Sequence, residues 1–172
     1  MKLSEKLGKS LVQVLDQLPI KKIHIDLGDV QFDLKVRTPL KREIEELNAR
    51  ILSPTEDEIK AIYDAYAEPI LKTLIEGGED FEKAMAESKQ KIEKLDDDLI
   101  VDGTSVRQIS YFQAVEQKRI EEYFHLLETE TGEAVTESYK EIISEFPEFA
   151  IKAIIAEIQK VIAPDYSSTK KN

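Results

Sequence analysis

Two alternating runs separated by Gly28-Asp29 constrain this chain more than any other segment. Ile23, Ile25 and Leu27 alternate with Lys22, His24 and Asp26, and Val30, Phe32, Leu34 and Val36 alternate with Gln31, Asp33 and Lys35. Successive side chains on a strand point to opposite faces, so each run has one apolar and one polar face. Two such runs around a two-residue Gly-Asp link read as a β-hairpin over 21–36 with a type I′ or II′ turn. A lone hairpin is marginal in water, so helices must cover its apolar face.

The remaining segments carry helical periodicity. Leu3, Leu7, Leu11, Val14, Leu15 and Leu18 recur at three- and four-residue steps until Pro19. Thr38-Pro39 reads as an N-cap followed by proline at the first helical position, ahead of Leu40, Ile44, Leu47 and Ile51. Ser53-Pro54-Thr55-Glu56 reads as an N-cap, a proline and a capping-box glutamate opening a helix that runs to Gly77-Gly78. Pro69 predicts a kink or break in it near Glu68. Residues 79–95 have a thin stripe (Phe81, Met85, Ile92, Leu95) and read as a surface helix or a mobile one. Asp96-Asp97-Asp98 and Asp102-Gly103 frame a connector whose Leu99-Ile100-Val101 could be extended.

Thr104-Ser105 caps the next helix, which buries Ile109, Phe112, Val115, Ile120, Tyr123, Phe124 and Leu127 and stops at Thr131-Gly132. Val135, Tyr139, Ile142, Ile143 and Phe146 form another, up to Pro147. The last carries a wide apolar arc from Phe149 to Ile162, which places it centrally in the packing. The expected fold is mostly α (α+β): a bundle of about six to seven helices around one N-terminal hairpin, a single domain over 1–164. Residues 165–172 read as a disordered polar tail. The helices at 105–128 and 136–162 are expected to cover the hairpin.

Composition narrows the chemistry. The 172 residues include no Cys, no Trp and two His. Without Cys there are no disulfides, zinc–thiolate sites, iron–sulfur clusters or cysteine nucleophiles. Residues 1–52 hold 10 basic and 8 acidic side chains, and the remaining 120 hold 14 and 27, for a net charge of −11. A field of that sign repels nucleic acid and anionic membrane surfaces. No uncharged apolar run approaches the roughly 18 residues of a membrane span, and no signal-peptide cleavage site follows the short apolar stretch at 11–15. The expectation is a soluble, cytoplasmic protein.

Motifs for catalysis or metal binding are weak. His24 and His125 have no zinc-binding spacing. If Asp98 opens a calcium loop, Asp102 and Gly103 fall at positions five and six, but Ile100 and Ile109 fall at three and twelve and offer no oxygen. Gly77-Gly78 precedes Glu79-Asp80, the wrong charge for cradling phosphate, and no GxSxG occurs. With 35 acids, two adjacent carboxylates are uninformative without a pocket to shift their pKa. No cofactor or metal is expected. By elimination the chain reads as a non-catalytic helical binding or assembly protein, with the aromatics of the long helix as contacts: Tyr111 and Tyr123 first, then Phe112 and Phe124.

Two segments sharpen this: Phe32-Asp33-Leu34-Lys35-Val36-Arg37-Thr38-Pro39-Leu40-Lys41-Arg42-Glu43, and Tyr111-Phe112-Gln113-Ala114-Val115-Glu116-Gln117-Lys118-Arg119-Ile120-Glu121-Glu122-Tyr123. Together they resemble the tail assembly chaperones of long-tailed bacteriophages. The resemblance covers about 25 of 172 residues and lies in pattern rather than in an invariant motif. It implies a protein that coats the tape-measure protein, recruits tail-tube subunits, associates weakly with itself, works in the host cytoplasm and is absent from the mature virion. It also implies a longer frameshifted product, for which Lys170-Lys171-Asn172 is compatible with an A-rich slippery run. The alternatives are a structural or adaptor protein that stays in a phage or bacterial assembly, and a small helical ligand-binding domain.

Overall fold

A computed structural model describes residues 3–8 and 20–163. It is an α+β chain with two small antiparallel sheets, which corrects the expectation of a bundle with a single hairpin. The elements in order are α1 (Leu3–Leu7), β1 (Ile20–Asp26), β2 (Gln31–Arg37), α2 (Lys41–Ile51), α3 (Glu56–Ser88), β3 (Ile92–Lys94), β4 (Leu99–Val101), β5 (Thr104–Ser105), α4 (Val106–Phe124), β6 (Leu127–Glu128), α5 (Tyr139–Glu145) and α6 (Glu148–Ile162). They divide into two compact units: residues 1–49 with 119–172, and residues 50–118. The expected continuation of the first helix through Leu18, and the polar tail at 165–172, lie outside the described residues.

The first unit is built on the hairpin. β1 and β2 pair from Ile20↔Arg37 to Asp26↔Gln31. Gly28 has φ +88 while Asp29 stays at negative φ, so of the two turn types open from sequence this one has the II′ pattern. The Leu27 amide closes the loop on the Val30 carbonyl at 2.9 Å. Ile23, Ile25 and Val36 are buried, and α6 packs against β1 as the wide arc of that helix requires. Ile25, Val36, Ile154 and Ile158 lose essentially all contact with solvent.

A third strand completes this sheet, and it corrects the expected helix through Leu127. α4 stops at Phe124, and β6 adds to β2 with Lys35↔Glu128 and Val36↔Leu127 opposite one another. The Arg37 amide donates to the Leu126 carbonyl at 2.8 Å. Leu127 is buried as expected, but as a strand residue that satisfies the open edge of β2. The following helix also starts later than Val135. Val135 lies outside any helix, just after the Ala134 bridge to Glu128, and its amide donates to the Leu127 carbonyl. α5 begins after Ser138, where Glu141 and Ser138 form a reciprocal capping box.

The second unit packs α3 and the start of α4 on the sheet β3-β4-β5. Ala67, Leu99 and Val106 form its buried centre, with Tyr63, Ile70, Leu71, Ile92 and Val101 against them. Ile92 therefore sits in a strand, not in the expected helix over 79–95, and Leu99-Ile100-Val101 is the extended piece the connector allowed. Val101 pairs with Thr104 across Asp102 (φ +50) and Gly103 (φ +81). Positive φ at both central residues is the type I′ pattern, so this connector is a second tight hairpin.

Helix starts and breaks shift from their sequence positions. The cap of α3 is Thr55 with Glu58, not Ser53 with Glu56: the Thr55 side chain accepts from the Glu58 amide, and Glu58 Oε2 accepts from the Thr55 amide at 2.7 Å. α2 is not capped by Thr38. Its first turn closes on Leu40, whose amide donates to Glu43 Oε2 at 2.7 Å, while the buried Thr38 Oγ1 has no partner. The non-helical residue of α3 is Gly78 (φ 48, ψ −142), so the break expected near Glu68 falls at the glycine pair and the helix resumes beyond it to Ser88. That backbone region is essentially glycine's alone.

Candidate functional site

The four aromatics expected to bind a partner occupy different environments. Tyr111 is half-buried and its hydroxyl donates to the Leu52 carbonyl at 3.0 Å. Phe112 and Ile109, expected on the buried side of this helix, are instead 60% and 40% exposed, and the Phe112 ring stands edge-on to Tyr111, ring centroids 5.6 Å apart. Tyr123 is half-buried. Phe124 is 2% exposed and packs edge-on against Phe146, so it is core and offers no surface. Helical spacing alone identifies neighbours on a face. It does not say which face meets solvent.

The acidic connector is a capping knot. Asp98 Oδ1 accepts from the Leu99 amide at 2.7 Å and the Arg107 amide at 2.9 Å, and Oδ2 accepts from the Ser105 hydroxyl. Ser105 Oγ in turn accepts from the Gln108 amide at 2.9 Å, as expected of the residue opening this helix. Burial opposes ionisation of Asp98, but the hydrogen bonds from Ser105, Arg107 and Leu99 outweigh it and hold its pKa below the ordinary aspartate value. Asp102 Oδ1 is committed to the Lys91 amide at 2.8 Å. These carboxylates hold backbone. Among the described residues, no group of three or more His, Asp or Glu is arranged to hold a metal ion.

The histidines are also engaged locally. His24 Nδ1 lies 2.8 Å from Asp33 Oδ1, its partner across the ladder, and Lys22 reaches the other oxygen. Lys22 first and His24 second lower the Asp33 pKa. His125 Nε2 lies 3.0 Å from the Glu137 carbonyl oxygen.

Sequence reading missed a concavity in each unit. In the second unit a groove of about 540 Å³ runs along α3. Tyr63, Ala67, Leu71 and Ile75 form one ridge at four-residue steps, and Asp64, Glu68, Lys72 and Glu76 form the next. Burial, then the charges of Asp98, Asp64 and Asp97, raise the Tyr63 pKa. In the first unit a smaller pocket of about 210 Å³ has a floor of Phe124, Leu127, Ile142 and Ile154. Leu34, Val135 and Phe146 wall it, and Glu128, Glu137, Glu141 and Glu145 line its mouth. It depends on β6 and on the non-helical Val135, both read as helix from the sequence, so no periodic signal could have located it.

Comparison with protein-family models, with curated proteins and with solved structures returns no match. Among the described residues, no helix is long and apolar enough to cross a membrane.

Proposed function

We propose that this protein is a non-catalytic assembly protein that binds exposed apolar helical segments of a partner, in the manner of a phage tail assembly chaperone acting on the tape-measure protein. The observation that supports this is Phe112. It is a large aromatic 60% exposed on α4, braced by a Tyr111 ring whose hydroxyl is tied to Leu52. Ile109, one turn away, is 40% exposed. A held apolar pair open to water is suited to docking against an amphipathic helix. The −11 charge would keep such a complex dispersed.

The test is co-expression with the tape-measure protein encoded alongside it. The expected result is a higher soluble yield of that protein and co-purification of the pair. Phe112→Ser should lower both while leaving the chaperone's own stability within about 0.5 kcal/mol, since the ring is solvent-facing. Unchanged solubility with no co-purification would sink the reading. Finding the protein at stoichiometric levels in purified virions by mass spectrometry would replace the chaperone with a structural component.

A further inference from the structure

We infer that the acid-mouthed pocket of the first unit is a docking site for one bulky apolar side chain carried on a basic segment of a partner polypeptide. This deepens the binding reading above and rests on it for the polypeptide nature of the occupant. Three observations converge.

The first is size. A pocket of about 210 Å³ is below the roughly 300 Å³ at which small-molecule sites begin. It exceeds the roughly 150 Å³ that encloses benzene, so one aromatic or large aliphatic side chain fits it. The second is rigidity. The floor residues Phe124, Leu127, Ile142 and Ile154 are all buried, and they come from α4, β6, α5 and α6, so the cavity is framed by packed elements.

The third is charge. Glu128, Glu137, Glu141 and Glu145 line the pocket, and none of its lining residues is basic. Hydrogen bonds from the Ser138 hydroxyl and amide depress the Glu141 pKa, and Glu137 accepts from the Thr136 amide at 2.9 Å. Lys35 pairs with Glu128 in the ladder, on the sheet face away from Leu34 and Leu127, and does not line the pocket. An apolar hole ringed by carboxylates repels an acidic or C-terminal ligand. It selects an apolar anchor flanked by Lys or Arg.

The probe is a synthetic amphipathic peptide of leucine and lysine with one central tryptophan, about 15 residues long so that it can form a helix. Its twin carries glutamate in place of lysine. With the full chain, the basic peptide should show a blue-shifted, saturable tryptophan signal that weakens as salt rises, and the acidic twin should show none. Val135→Phe, which fills the pocket, should weaken binding about tenfold. The double variant Glu137→Gln/Glu145→Gln should weaken it about fivefold. Glu79→Gln/Glu93→Gln removes the same charge from the second unit and should change it less than about twofold.

Equal losses in both double variants would mean general attraction to an acidic protein and would overturn the site. Full binding by Val135→Phe would overturn it too, as would self-association that this variant abolishes, because the occupant would then be a second copy. Should Val135→Phe fail to fold, the paired glutamine variants decide alone. Failure of tape-measure co-expression with intact, pocket-dependent peptide binding would reject the chaperone reading and leave this site standing.

Discussion

The two units solve the same problem, covering a short antiparallel sheet, with different materials. The first buries large aliphatic side chains, with Ile25, Val36, Ile154 and Ile158 at 0–1% exposure. The second has a centre of Ala67, Leu99 and Val106 and relies on Asp98, Ser105 and Asp102 to tie its strands and helix start together. Apolar burial tolerates imprecise geometry, because its strength follows area. A carboxylate knot depends on each bond, since the part-buried Leu99 amide and the amide at the start of α4 have only the Asp98 carboxylate to hold them. The first unit should fail by cavity formation and the second by loss of single polar groups.

The largest test is Ile158→Ala, which should cost about 3 kcal/mol in urea unfolding because packed helix and strand cannot collapse into the gap. Hydrogen exchange should then rise first in β1 and α6. Asp98→Ala should come next, at about 2 kcal/mol, with lost protection at the Leu99 and Arg107 amides. If Ile158→Val and Asp98→Ala cost the same, the contrast between the units is wrong. Gly78→Ala should cost about 1–2 kcal/mol from its backbone conformation alone, since a Cβ there meets nothing within 4 Å.

Acid should sharpen the difference further. The folded pKa of Asp98 lies below its ordinary 3.8, so its contribution is fully present above that value and is lost as pH falls through the folded pKa. Asp98→Asn should therefore flatten the fall in stability as the pH drops below 3.8. Glu58 is depressed chiefly by the Thr55 amide and acts with the same sign in the same unit. The smallest effect separates two helix starts: Thr55→Ala should cost about 1 kcal/mol, and Ser53→Ala less than about 0.5 kcal/mol.

Local chemistry was legible wherever both partners lie within a few residues. The hairpin at 21–36, the Ser105 cap and the wide arc of the last helix all follow from such patterns. The Ser138–Glu141 capping box and the Asp102-Gly103 turn are equally local signals, but the neighbouring apolar residues also fit one long helix and a plain connector. Ser53 and Thr55 are both good caps, so propensity does not separate them, while Leu40 starts α2 against its poor capping propensity because the Glu43 carboxylate takes its amide.

By itself, the sequence determined the period of each run, the glycines that permit positive φ, the acidic field and the absence of thiol chemistry. Tertiary structure alone decided that Leu127 is a strand residue, that Phe124 is core while Phe112 meets water, and that four glutamates meet around one apolar hole. Each depends on an edge or face supplied by a segment distant in sequence. Leu127 pairs with Val36 because β2 has unpaired backbone groups that must bond to something, and a helix-compatible apolar residue yields to that demand.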